Sequence, residues 1–115
     1  MVRRVLRGLL ERHDNWKVCG EASTGSEAVR NVDRVNPDVV ILDFQMPEMN
    51  GLDAAKTMTR HSPKLPILMV STYMSQELAD EARKVGVRGA CGKQDITCVV
   101  KAVDHLLHNQ TYFRA

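Results

Sequence analysis

A chain of 115 residues has the usual size of one domain and can bury a core without disulfide or metal staples. With 43% apolar and 26% charged residues and no apolar run of membrane-spanning length, it is neither a disordered chain nor an integral membrane protein. The net charge of +2, from 16 basic and 14 acidic residues interleaved along the chain, offers no broad field for nucleic-acid phosphates. Arg3, Arg4 and Arg7 read as a solvated helix face. The opening Met1-Val2-Arg3-Arg4 lacks the long apolar stretch and small-residue cleavage site of a signal peptide. Cys19, Cys91 and Cys98 are odd in number, lack Cys-x-x-Cys spacing and lie in apolar stretches, so reduced, packed thiols in a cytoplasmic protein are expected.

In chain order, Val2, Val5, Leu6, Leu9 and Leu10 fall on one stripe of an amphipathic helix. Trp16 to Ala22 alternates apolar and polar residues like a strand with one drier face. Thr24 and Glu27 have capping-box spacing before a helical stripe of Ala28, Val29, Val32 and Val35. The apolar run from Val39 to Leu42 then reads as a strand buried on both faces, as a parallel sheet requires, and ends on Asp43. Leu52, Ala55 and Met58 mark a short helix after Asn50-Gly51. The run Leu65 to Val70, after Ser62-Pro63, is a second buried strand. Ser75 caps a helix bearing Leu78, Ala82 and Val85; a brief strand around Ala90-Cys91-Gly92 follows, then Lys93. Val99, Val100, Val103, Leu106 and Leu107 make a last helix, after which Thr111-Tyr112-Phe113 is a tail able to pack back. Strands alternating with helices of this length imply βαβ units and a parallel sheet with helices on both faces.

Three consecutive strands end on polar residues of particular types: Asp43, then Ser71 with Thr72, then Lys93. Taken singly, such an aspartate is a cap or salt-bridge partner and such a lysine is solvated. Together they form what a phosphorylatable aspartate needs, because an ammonium can pair with an incoming phosphoryl oxygen and a hydroxyl can bond another. His105 and His108, three apart on the last helix, lack a third metal ligand in any recognisable pattern. No Gly-rich phosphate loop and no nucleophilic triad is visible, so an enzyme is not expected.

With the block Pro37 to Leu52, the run Pro66 to Ser71, the segment Gly86 to Lys93 and the closing Thr-Tyr-Phe, the chain resembles, over its whole length, the receiver domain of two-component response regulators. The subgroup that precedes LuxR-type DNA-binding domains is the nearest. The resemblance implies a flavodoxin-like (CheY-like) α/β fold, a doubly wound parallel sheet, occupying residues 1–115 with no effector domain. It implies that Asp43 accepts phosphate from a histidine kinase or another phosphodonor, that Ser71 is the switch hydroxyl, that Lys93 contacts the phosphoryl group, and that the Gln45 carbonyl joins Asp43 in holding Mg²⁺. Two departures stand out. The family's first, central strand and the acidic pair after it are missing, as though the chain were truncated at its N-terminus, which leaves a poor Mg²⁺ site. Ala90 also stands where many receivers carry a rotating aromatic. Two further expectations follow from these departures: self-association to cover the sheet edge, and, as an alternative function, a degenerate receiver acting by phosphorylation-independent binding. A third reading is the receiver piece of a LuxR-type transcription regulator, with no nucleic-acid binding of its own.

Overall fold

The computed structural model describes residues 8, 10–12, 15–46 and 48–113. Among these the regular elements are α1 (Gly25–Val35), β1 (Val40–Asp43), α2 (Gly51–His61), β2 (Ile67–Ser71), α3 (Gln76–Lys84), β3 (Gly89–Gly92), α4 (Ile96–Leu107) and β4 (Tyr112–Phe113). The helices begin where short polar side chains satisfy orphan backbone donors. The Thr24 hydroxyl accepts the Glu27 N–H at 3.1 Å, and the Glu27 carboxylate accepts the N–H of Ser23, one residue before the cap, at 3.1 Å, a variant of the capping box. Asn50, Ser75 and Asp95 likewise accept the N–H groups of Asp53, Leu78 and Cys98.

All strand pairs are parallel, in the order β1-β2-β3-β4. Every residue of β2 is buried, and strand periodicity sends its side chains alternately into two apolar layers. Ile67 and Met69 pack with Ala28 of α1, Ala54, Ala55 and Met58 of α2, and Ala82 of α3. Leu68 and Val70 pack on the other face with Val99, Ala102, Val103 and Leu106 of α4. The small residues on the helices let them approach the sheet closely, and the bulky aliphatics of β2 fill the space between.

The ends of the sheet differ from the sequence reading. The segment 16–22 is not a strand of this sheet. Its alternation survives only as burial, Trp16 and Val18 being half-buried against the α4 cluster while Lys17 and Cys19 are exposed. Between this segment and β1 lies a cleft of about 530 Å³, lined by Trp16, Val18, Val35, Val39 and Ile41 among others. A period of two specifies a strand only where a ladder partner lies alongside, and here the nearest strand stands across the cleft. For the same reason β1 is less buried than expected: only Leu42 is fully enclosed, and Val40, Ile41 and Asp43 are half-buried. The fourth strand comes instead from the tail, where Tyr112 and Phe113 pair with Gly89 and Ala90. The Arg83 guanidinium lies 4.1 Å from the centre of the Phe113 ring and fixes it over α3. The helix predicted over Val2 to Leu10 falls almost wholly outside the described residues, although Leu10 itself is buried in the α4 cluster.

The cysteines also depart from expectation. Cys91 and Cys98, read as separate packed thiols, form a disulfide between β3 and the first turn of α4, with Cα atoms 6.2 Å apart. Cys19 is exposed rather than packed. A separation of seven residues meets in space only because the tight β3–α4 turn folds back, which spacing alone does not reveal.

Candidate functional site

The parallel register staggers the carboxyl ends of the first three strands. Asp43 lies beside Val70, and Ser71, one residue further along β2, lies beside Gly92. The Lys93 N–H then donates to the Ser71 carbonyl at 2.8 Å, which fixes where the lysine side chain leaves the sheet. From there the Lys93 ammonium reaches back across β2 and donates to Asp43 Oδ2 in an ion pair. The two side chains are 29% and 22% exposed, so the pair is shielded from bulk water on most sides yet open to a small ligand.

The other carboxylate oxygen is also held. Asp43 Oδ1 accepts the Gln45 N–H at 3.0 Å in an Asx-type turn that carries the chain away from the strand end. Behind the carboxylate, the Gly51 N–H donates to the Phe44 carbonyl at 2.8 Å, so α2 starts directly against the backbone of the site. The approach is possible only for glycine: a Cβ there would stand 2.7 Å from both the Asp43 carbonyl oxygen and the Phe44 Cα. Ser71 is 2% exposed, and among the described residues its hydroxyl makes no hydrogen bond; neither is it a sealed, unsatisfied polar atom. By strand alternation its side chain leaves β2 on the face that carries Ile67 and Met69.

Of the residues singled out in the sequence, the structure brings together Asp43, Lys93 and, by register, Ser71. Thr72 follows in the turn after β2, half-buried. Ala90 is not part of the cluster: it is fully buried inside the sheet, in register with Met69 and Phe113. Gln45 stands beside Asp43 and engages its carboxylate through the backbone N–H. That contact and the Gly51 approach were missed by the sequence reading. Their signals were present in the backbone chemistry of Asp-Phe-Gln and Asn-Gly, since aspartate readily bonds an N–H two residues on and only glycine lets backbones meet.

The Asp43–Lys93 pair should be measurable. In a double-mutant cycle of Asp43→Ala and Lys93→Ala, urea unfolding is expected to give a coupling of about 1 kcal/mol, in the upper range for partly exposed pairs. Coupling indistinguishable from zero would mean that the two side chains do not meet in solution.

A parallel α/β sheet, helices on both faces and a polar cluster at the carboxyl ends of the strands define the class as the CheY-like flavodoxin fold. The model of the response regulator receiver domain matches residues 1–104, and the chain belongs to that family. It is 37% identical over 89 residues to the transcriptional regulatory protein YdfI of Bacillus subtilis, covering 77% of this chain and 41% of YdfI. To the chemotaxis protein CheY of Thermotoga maritima it is 36% identical over 87 residues, covering 76% of this chain and 72% of CheY. A crystal structure of a LuxR-family two-component response regulator from Aurantimonas sp. SI85-9A1 superposes with a TM-score of 0.92 at 27% identity, covering 96% of this chain and 80% of that one. The chain thus spans less than half the length of YdfI.

Receiver domains are generally signalling modules rather than enzymes, and they usually bind Mg²⁺ at the phosphorylation site. Among the described residues the side-chain donors around Asp43 do not make the set such an ion takes. Among the described residues no three His, Cys, Asp or Glu side chains gather as a metal site. Both oxygens of Asp43 are already engaged, by Lys93 and by the Gln45 N–H. Mg²⁺ requires near-octahedral oxygen ligation, commonly with one or two carboxylates free to coordinate.

Proposed function

We propose that this chain is the phosphoryl-receiving module of a two-component response regulator, with Asp43 accepting the group from a histidine kinase or a small phosphodonor. The observation that supports this most is the Asp43–Lys93 ion pair, with Ser71 brought to the same strand ends by the β2 register. In the transfer, a carboxylate oxygen of Asp43 forms the new O–P bond as the bond from phosphorus to the donor breaks. The donor's leaving group departs with the electron pair and takes a proton from water. Charge then shifts from the carboxylate to the phosphoryl oxygens. Lys93 moves its ammonium to one of these, and Ser71 donates to another. Among the described residues no second carboxylate stands with Asp43 to help hold a divalent ion that would neutralise the phosphoryl charge, and a slow transfer is part of the proposal. Alanine at position 90 cannot act as a rotating ring, so any switching runs through the turns after β2 and β3. Incubation with phosphoramidate, read by intact mass, tests the reading: a base-labile gain of one phosphoryl group supports it. The absence of any gain supports the alternative of a receiver that works by binding alone, which the metal misfit favours.

The relation to YdfI supports an output in transcription regulation, carried by residues other than those of this chain. Residues 1–115 form one receiver domain in this reading, and among the described residues its sheet has the four strands β1 to β4. No helix among the described residues is long and apolar enough to cross a membrane, and a cytoplasmic location fits the role. Self-association is part of the proposal: among the described residues β1 is the edge of the sheet and borders an apolar cleft, a surface that invites strand pairing. Light scattering is expected to show a mass that rises with concentration, and Ile41→Lys, which places a charge on that edge, is expected to restore the monomer. A mass independent of concentration would remove homodimerisation from the reading.

A further inference from the structure

The Cys91–Cys98 bridge encloses the turn from which Lys93 projects. Cys91 lies in β3 and is completely buried, and Cys98, in the first turn of α4, is 4% exposed. Between them the Asp95 N–H donates to the Gly92 carbonyl at 3.1 Å, and the Asp95 carboxylate caps the Cys98 N–H at 3.1 Å. Lys93 therefore sits inside a covalent ring, two residues after one sulfur and five before the other, with its ammonium on Asp43. We propose that Cys91 and Cys98 are a reversible thiol–disulfide couple that sets the stiffness of the turn presenting Lys93.

The separation of 6.2 Å between Cα atoms lies in the range a disulfide spans without backbone movement, so both redox states fit one fold. Burial supplies the coupling. A reductant can reach these sulfurs only when the first turn of α4 lifts from β3, and that is the motion which releases Lys93 from its place. Exposed Gln94, Asp95 and Thr97 mark this as the end of α4 where such opening costs least. In a reducing compartment, paired cysteines of this kind are characteristically transient and redox-sensing rather than permanent staples. The chemistry balances with a disulfide of the glutathione class as oxidant. One cysteine thiolate attacks it, forming a mixed disulfide and expelling one thiol; the other cysteine then displaces the second thiol. Two electrons and two protons pass from the protein to the glutathione pair. As regulation of the phosphoryl site, the couple rests on the function proposed above; the sulfur chemistry and the change in stiffness do not.

The test uses the full chain carrying Cys19→Ser, which removes the exposed third thiol. Treatment with glutathione disulfide is expected to leave no thiol countable after denaturation and to lower the intact mass by two hydrogen atoms, with no glutathione retained. Reduction by a phosphine is expected to restore both thiols, to raise deuterium uptake in residues 92–98 about tenfold and to lower Tm by roughly 10 °C. Cys98→Ser, and separately Cys91→Ser, should match the reduced form under both conditions. Two thiols persisting after oxidation, or equal deuterium uptake by 92–98 in the two states, would overturn the proposal. Because neither readout requires phosphoryl transfer, failure here is distinct from failure of Asp43 as acceptor.

Discussion

Asp43→Ala is expected to abolish the base-labile phosphoryl gain, a loss of at least about 100-fold against the parent chain under the same phosphodonor. No other described carboxylate is paired with Lys93, so a substitute acceptor lacks the cation that meets the incoming oxygens. The variant should remain folded. Asp43 is half-buried at the end of an edge strand, and the lysine left behind is exposed enough to hydrate, so the stability cost stays at about 1 kcal/mol or less. The phosphoryl gain of the parent chain is expected to show no saturable dependence on Mg²⁺ up to millimolar concentrations, because one carboxylate already paired to lysine cannot by itself hold the ion tightly. Saturation at micromolar Mg²⁺ would show that a fuller donor set assembles. Phosphoryl gain persisting in Asp43→Ala would move the acceptor elsewhere.

Gly51→Ala is expected to be the more damaging change to the fold, although it adds a single methyl group. That methyl would stand 2.7 Å from the Asp43 carbonyl oxygen and from the Phe44 Cα. Both are backbone atoms tied into the β1–β2 ladder, Phe44 donating its N–H to the Val70 carbonyl at 2.8 Å, so neither can step aside as a flexible side chain would. Either α2 retreats and loses the Gly51 to Phe44 hydrogen bond, or the end of β1 is displaced. The expected cost in urea unfolding is about 3 kcal/mol, the upper part of the usual range for overpacking, and a large share of a domain's net stability. The two routes separate by site chemistry: displacement of β1 also slows the phosphoryl gain at Asp43, whereas retreat of α2 leaves it unchanged. A variant as stable as the parent would mean that the helix start and the strand end are not in contact.

The residues that made the sequence readable are those whose signal is local. Thr24 with Glu27, and Ser75, announced their helices because a cap needs only the next three residues. β2 was legible because an aliphatic run closed by a serine has little choice but to lie inside a parallel sheet. Asp43, Ser71 and Lys93 group from the sequence because βαβ connections deliver successive strand ends to the same side. What was not legible depends on partners remote in sequence. Trp16 to Ala22 has the alternation of a strand, but whether it becomes one is decided by what lies beside it. Tyr112 and Phe113 look like a tail and become a strand because the far edge of β3 is free to receive them. The Cys91–Cys98 contact depends on a turn whose closure no spacing rule expresses, and the part played by Gln45 depends on its N–H, a group that every residue except proline carries.

The position of β1 at the margin of the sheet has a mechanical consequence for the cluster it serves. Among the described residues Ser71 and Lys93 are mounted on strands bonded along both sides, or directly continuous with one, whereas Asp43 hangs from a strand bonded along one side only. Elements secured by fewer hydrogen bonds open at lower free energy. The site is therefore a vice with two fixed jaws and one compliant jaw, and the compliant jaw carries the carboxylate.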